Sequence, residues 1–314
     1  MHDVVTLGET MILLVPKQVG QLRYAHQFDK YIAGAESNTA VGLARVGHKV
    51  GWVSRVGDDE FGHSILTFLR GENVDVSQVV LDGRAPTGVF FKERRRTGST
   101  RVFYYRAGSA ASFMTPADLD EAYIQQAKIL HLTGITPALS ESGKETLHAA
   151  IEAANGAGVT VAFDPNVRYK LWSADAAKKT FADILPNVQI VLTSSEEAQL
   201  ITGIENPQEA ARAIHALGPN TVVVKMGDKG AIGYDGTLLE APPVNVDVVE
   251  TVGAGDAFNA GFLSGRLRGW DLGKCLELGN ILGALATTVP GDVEGLPTWS
   301  EVQAFWKGGD IVDR

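Results

Sequence analysis

The sequence has a single cysteine, Cys275, which excludes an internal disulfide and any cysteine-rich metal centre. Its seven histidines fall at no metal-ligand spacing. There is no G-x-S-x-G elbow, and no G-x-G-x-x-G follows the first apolar run, Val4–Leu7, so neither a serine-hydrolase site nor a dinucleotide fingerprint is present. The nearest approach to a P-loop, Ala138-Leu-Ser-Glu-Ser-Gly-Lys-Glu145, has Ala138 where the first glycine belongs and Glu145 where Ser or Thr would meet magnesium; it reads as a helix N-terminus. No run reaches the ~20 apolar residues of a membrane helix, and no basic segment followed by an apolar one opens the chain. The expectation is a protein with no membrane attachment that stays in the reducing cytoplasm. Positive charge is also scarce. A net charge of −9 and a pI near 5.3 argue against a general nucleic-acid binder, whose footprint is basic. The one basic cluster, Arg94-Arg95-Arg96, reads as a solvated loop.

What is present is ordinary globular material. At 314 residues, the chain is long for one core, and one large domain with a smaller appended element is expected. Short β-branched runs (Val4–Leu7, Val50–Val53, Ile129–Thr133, Val159–Phe163, Gln189–Thr193, Thr221–Lys225) alternate with segments of helical periodicity (Asn38–Val46, Gly62–Glu72, Lys144–Ala154, Ala174–Leu185, Pro207–Leu217). Such alternation predicts an α/β fold, a doubly wound, mostly parallel sheet with helices on both faces. Ligands of such sheets bind beyond the carboxyl ends of the strands. Residues 12–33 and 87–108 break the rhythm and read as strands and turns, enough for a small separate β-sheet. That sheet is either a lid over a site or an ordinary edge hairpin. The core would then comprise 1–11, 34–86 and 109–314.

The most informative stretch is Glu250-Thr-Val-Gly-Ala-Gly-Asp-Ala-Phe258. Upstream, Val244, Val246 and Val248 alternate with polar residues like a half-buried strand. From Ala257 the pattern turns helical, with Phe258 and Phe262 on one face and small residues that would let the helix pack closely. A glycine-rich turn entering a helix is an anion cradle, because the first N–H groups are unpaired and the dipole is positive there. Asp256 has two readings at this point, a helix cap or a base facing the anion.

Four more constellations follow predicted strands: Ala33-Gly-Ala-Glu-Ser-Asn-Thr-Ala40, Asp164-Pro-Asn-Val-Arg168, Ser194-Ser-Glu-Glu197 and Lys225-Met-Gly-Asp-Lys-Gly230. Each has a plain alternative: a helix cap, a tight turn, a capping box and a hairpin turn. In this order, with the Gly253–Asp256 turn, they resemble the ribokinase-like sugar kinases of the PfkB family. Thr251–Leu263 is similar to the family's C-terminal signature. Ala33–Gly57 is similar to its N-terminal one, with Asn38, Ala40, Gly47 and Gly57 in place. Glu250, Glu36 and Ser194 depart from the usual Asp or Asn, small residue and Asn. Within the family, Gly34–Asn38, Phe103–Ser109, His131–Pro137 and Asp164–Trp172 are similar to kinases of 2-keto-3-deoxygluconate; fructokinases carry comparable Asp-Pro-Asn and Tyr-Arg segments.

The resemblance implies a ribokinase-like fold with a β lid and transfer of the ATP γ-phosphoryl group to a sugar hydroxyl. It implies Asp256 as base and Gly253, Ala254 and Gly255 as anion hole. Gly34, Ala35, Glu36, Ser37, Asn38, Phe90, Tyr104, Tyr105, Arg106, Arg168, Asp256 and Asp292 would bind the sugar. Asn166, Arg168, Ser194, Lys225, Gly227, Gly230, the Gly253–Gly255 turn and Asn280 would bind ATP. Glu197 would hold Mg2+ through water, and Asp292 lies where a monovalent-cation effect would arise. A sugar acid needs a cationic partner for its carboxylate, and Arg106 and Arg168 are suited to it. Phe90, Tyr104 and Tyr105 would equally stack on a nucleoside base, and a non-catalytic sensor on the same fold is a further alternative. The lid strands are expected to pair subunits into a homo-oligomer.

Overall fold

The computed structural model describes residues 1–96 and 99–308. The chain runs β1 (Val4–Leu7), β2 (Met11–Pro16), β3 (Phe28–Ala33), α1 (Ala35–Arg45), β4 (Val50–Gly57), α2 (Glu60–Gly71), β5 (Val74–Asp75), β6 (Val79–Asp82), β7 (Val89–Arg96), β8 (Ser99–Tyr105), α3 (Glu121–Gln125), β9 (Ile129–Thr133), α4 (Ile135–Leu139), α5 (Glu141–Gly156) and β10 (Thr160–Asp164). It continues through α6 (Ala174–Ile184), β11 (Ile190–Ser194), α7 (Ser195–Thr202), α8 (Pro207–His215), β12 (Thr221–Lys225), β13 (Ala231–Tyr234), β14 (Leu238–Ala241), α9 (Ala254–Leu267), α10 (Leu272–Ala286) and α11 (Trp299–Trp306).

The strands that read as near-continuous apolar runs form one large sheet in the order β14-β13-β12-β11-β10-β9-β1-β4-β5, with β6 beside β4. It is parallel from β12 to β6; β13 and β14 are antiparallel additions. Alternate side chains feed two cores. Val4, Ala162, Leu192 and Val223 face α1, α2, α9 and α10, whereas Val5, Val161, Val191 and Val222 face α5 to α8. The expected α/β architecture is therefore found. Beginning at β1, the chain winds to β4 on one side and to β9–β12 on the other. Such a reversal of strand order leaves a crevice at the carboxyl ends of the flanking strands.

Helix starts are set locally. Ser140 accepts from the Gly143 N–H at 3.0 Å, so the P-loop-like stretch is the capped start of α5. Asn206 followed by Pro207 begins α8. Helices α9 and α10 approach so closely that a Cβ on Gly261 would lie 2.6 Å from the Leu278 carbonyl oxygen. On its other side α9 meets α1, where a Cβ on Gly42 would lie 2.8 Å from the Ala260 Cβ.

A second sheet, ordered β3-β2-β7-β8, comes from the two segments that broke the alternation. Its strands leave and rejoin the core around Glu9, Gly34, Gly88 and Arg106–Ser109. Three expectations need correction. Residues 242–248 form no strand, because Pro242 and Pro243 remove the N–H groups a ladder needs. Arg94–Arg96 end β7 rather than a loop, with the Arg95 Nε 3.0 Å from Glu93. The helix expected from Ala257 starts at Ala254.

Candidate functional site

The earlier helix start changes the role of Asp256. Gly253 is the residue before α9, at φ +78°, and no side chain caps the helix; Asp256 is its third residue and not its cap. A Cβ on Gly253 would lie 2.5 Å from the Asp292 carbonyl oxygen, so φ and space both demand glycine there. The N–H groups of Gly253, Gly255 and Asp256 meet no acceptor among the described residues, and that of Ala254 reaches Thr251 at 3.4 Å. The start of α9 is thus an open set of donors at the positive end of a helix.

Charges are arranged around those donors. The Lys225 ammonium, at the end of β12, lies 2.9 Å from Asp164 Oδ2 and 3.1 Å from Asn259 Oδ1. Asn259 Nδ2 donates to the same Asp164 oxygen at 2.6 Å. Lys225 also lies 3.7 Å from where a Cβ on Gly255 would stand, so its charge borders the open helix end. Asp256 Oδ2 accepts from Asn38 Nδ2 at 2.8 Å, and its other oxygen has no partner among the described residues. Burial pushes the Asp256 carboxyl up to about 6, and Asp164 adds to the shift, while the Asn38 hydrogen bond and the charges of Arg168 and Lys225 oppose it. Asp292, 9% exposed with Oδ1 unpartnered, is pushed up to about 7 by burial and then by Asp256.

The Gly34–Asn38 group divides. Gly34 is partly open and its N–H points to Asn38 Oδ1 at 3.4 Å, whereas Ala35, Glu36 and Ser37 are buried in protein. Glu36 is fully enclosed: Thr133 donates to Oε1 at 2.5 Å, Oε2 has no partner, and burial lifts the acid to about 7. A Cβ on Gly8 would lie 2.1 Å from its carboxyl carbon. Glu36 is therefore enclosed between Gly8, just after β1, and Thr133, at the end of β9.

On the small sheet, Phe90 stacks on Tyr104 with centroids 5.3 Å apart. The guanidinium of Arg106 and the ammonium of Lys170 lie 5.5 and 5.3 Å from the Tyr104 ring, which brings the 165–172 loop against this face. Tyr105 does not join them. Successive strand residues point to opposite faces, and Tyr105 is 67% exposed on the other one, against Phe91. Arg106 is buried against Glu9: Nε and Nη2 both engage Oε2, while Ser109 donates to Oε1 at 2.5 Å. Its Nη1 has no protein partner among the described residues. Arg168 is exposed and carries no protein hydrogen bond among the described residues; its charge acts on Asp256 from the core side.

The remaining expected residues lie at the ends of β10 to β12 and on α10. Asn166 takes a left-handed φ of +39° in an Asx turn on Asp164. Ser194 and Glu197 form the capping box of α7, and Glu197 also accepts from the Val167 N–H at 2.8 Å. Both Glu197 oxygens thus have backbone donors, leaving only outward lone pairs for a hydrated ion. Gly227 and Gly230 shape the β12–β13 hairpin turn with φ of +60° and +86°. The Asn280 amide is committed to the Ala241 and Pro242 carbonyls at 3.2 and 2.8 Å. No group of three metal-binding side chains occurs among the described residues.

Sequence reasoning missed Glu9, Lys92, Thr133 and Asn259. Only Asn259 had a local signal, lying three residues after Asp256 and so on the same helix face.

The arrangement of an open helix end, a bordering ammonium and a buried carboxylate has the chemistry to bind a polyanion beside a base. A 2-dehydro-3-deoxygluconokinase of Bacillus subtilis (strain 168) is 40% identical over 308 residues, spanning 96% of this chain and 95% of its own. The crystal structure of a PfkB protein from Polaromonas sp. JS666 has a TM-score of 0.89 at 38% identity, covering 97% of this chain and 100% of that one. An uncharacterized sugar kinase from Pyrococcus horikoshii, solved in complex with ATP, has a TM-score of 0.84 at 30% identity over 95% of this chain and 96% of its own. With residues 1–299 matching as a pfkB family carbohydrate kinase, the chain belongs to that family.

Proposed function

We propose that the protein phosphorylates the 6-hydroxyl of 2-keto-3-deoxygluconate with ATP. The observation that carries this reading is Asp256 itself, a buried carboxylate held by Asn38 within the first turn of an uncapped helix whose free N–H groups border Lys225. ATP supplies the transferred phosphoryl group, and phosphoryl transfer asks a protein mainly to position reactants and stabilise charge. Ionised Asp256 accepts the proton of the attacking hydroxyl, with its unpaired oxygen available for that contact. The N–H groups of Gly253, Ala254 and Gly255, with Lys225 beside them, hold the negative charge that develops on the phosphoryl oxygens. Glu197 would hold magnesium through water, and the ion would supply positive charge against the phosphates; the Glu197 oxygens already serve the backbone, and no acid cluster among the described residues offers direct ligation.

The acidic sugar is favoured by two cations on opposite sides. Among the described residues Arg106 Nη1 has no partner on the small sheet and Arg168 none on the core; a carboxylate between them gains charge-assisted hydrogen bonds that fructose cannot make. The name of the Bacillus subtilis relative agrees with this choice. Phe90 and Tyr104 would cover the sugar, making the small sheet a lid. We further read its outer face, with Phe103 and Tyr105 exposed, as the contact of a homo-oligomer, the loop at Asp292 as the place of a monovalent-cation effect, and the cytoplasm as the compartment.

A coupled ADP-release assay across 2-keto-3-deoxygluconate, fructose, ribose and a nucleoside tests the reading. A clear preference for 2-keto-3-deoxygluconate is expected; fructose or a nucleoside as the better acceptor would overturn it.

A further inference from the structure

One buried cation takes no part in the scheme above. Lys92 lies on β7, two residues after Phe90 and so on the same face, opposite Val102 of β8. It is 8% exposed, and its ammonium contacts Glu250 Oε1. Glu250 is one of the positions where this chain departs from the family pattern, and it opens the segment that leads to the α9 turn. Three elements hold it. Its N–H and that of Val249 both donate to the Thr287 carbonyl, at 3.1 and 2.8 Å. Its Oε2 accepts from the Gly291 N–H at 3.2 Å. Lys92 supplies the third contact, from the small sheet.

The Glu250 segment and the 291–292 loop meet again at Gly253, where an added Cβ would lie 2.5 Å from the Asp292 carbonyl oxygen. A shift of either would therefore turn the N–H groups of Gly253 and Gly255. The groups facing the Lys92 ammonium are Glu250 and Asp292, with Arg94 repelling it along its own strand. Asp292 in turn faces Asp256 and Glu294 as well as Lys92. Burying such an ion pair is a weak source of stability, since desolvation offsets most of the attraction. What it fixes is the register of the parts it joins.

We propose that Lys92 is a positioning residue: through Glu250 it ties the small sheet to the turn that opens α9, so that the anion-binding N–H groups are aligned when the sheet is seated. The proposal rests on the kinase reading. It assigns to the sheet a role at the phosphoryl-transfer step, in addition to covering the sugar.

The test is steady-state kinetics of wild type, K92M, K92R, E250Q and the K92M/E250Q double variant, each with its melting temperature measured. Misalignment by a fraction of an ångström is expected to lower kcat in K92M by about 10- to 100-fold with KM for ATP little changed. K92R should recover most of the rate, and the double variant should be no slower than K92M, as for two residues acting through one contact. A kcat for K92M within twofold of wild type, or additive losses in the double variant, would overturn the proposal. If K92M does not fold, E250Q alone must show the loss of kcat, and a normal kcat there overturns it equally. A wild-type enzyme that releases no ADP with any acceptor would refute the kinase reading instead.

Discussion

Asn38 and Asp256, 218 residues apart in sequence, are joined by a hydrogen bond of 2.8 Å from the amide to the carboxylate. The bond is possible because α1 and α9 are packed through Gly42 and Ala260. It supports the ionised form of an acid that burial pushes the other way. Replacing Asp256 by Asn should lower kcat by about two to four orders of magnitude, the range of a lost proton acceptor, and leave ATP binding measurable by calorimetry. Near-normal turnover would remove Asp256 from the role of base.

The pH dependence follows with its sign. Asp256 must be ionised to act, and its carboxyl is raised to about 6, so kcat should fall about tenfold per pH unit below that value. In Asn38→Ala the lost hydrogen bond no longer favours the carboxylate, and the acidic limb should move to higher pH. A limb that stays in place would show that the amide does not tune the acid.

Glu36 should matter for stability and not for binding. Its carboxyl is raised from 4.5 to about 7, so the folded state binds the proton more tightly than the unfolded chain. Its contribution is complete below the unfolded value and lost as pH rises through about 7. Glu36→Gln, which cannot ionise, should gain stability over wild type between pH 5 and pH 8, by on the order of 2 to 3 kcal/mol in urea unfolding. Equal stability differences at both pH values would contradict this.

Two glycines of the α9 turn should fail in different ways. Gly253→Ala meets a left-handed φ and the Asp292 carbonyl, so both melting temperature and kcat should drop. At Gly255 a side chain meets only Lys225, at 3.7 Å. Gly255→Val should therefore fold normally and lose phosphoryl transfer. A strongly lowered melting temperature for Gly255→Val would show that space there is structural.

Arg168→Ala and Arg106→Ala separate the two sides of the sugar. Arg168 has no protein partner among the described residues, so its removal should raise KM for 2-keto-3-deoxygluconate by roughly ten- to a hundredfold, the worth of a charge-assisted hydrogen bond, and hardly alter KM for fructose. Equal effects on both sugars would sink the carboxylate clamp. Arg106→Ala leaves Glu9 buried and unpaired, so it should also destabilise the fold.

The parts of the site that were legible in the sequence are those carried by contiguous residues. Gly253–Asp256 signals itself through backbone freedom followed by a helical pattern, and Asp164–Arg168 and Lys225–Gly230 sit where strands end. What was not legible depends on pairing at a distance. Glu9 and Arg106 are 97 residues apart, as are Glu36 and Thr133, and no local pattern announces that an acid will find its partner across a sheet. Adjacent aromatic residues such as Tyr104 and Tyr105 look alike in the sequence, but a strand sends neighbours to opposite faces, and only Tyr104 stacks on Phe90. Val244, Val246 and Val248 have strand periodicity without a partner strand, and periodicity alone does not supply one.

The Glu9 carboxylate stands where the chain passes between its two sheets. Its own residue precedes β2, and a Cβ on Gly88, ahead of β7, would lie 2.8 Å from Oε1. A Cβ on Gly34, at the return from β3, would lie 2.5 Å from the Glu9 carbonyl oxygen. Arg106 and Ser109, at the return from β8, bond the carboxylate directly. All four junctions of the four-stranded insert are thus gathered around the single residue Glu9. No strand of the insert pairs with the ten-stranded sheet among the described residues, so the two sheets share this junction and no ladder hydrogen bond.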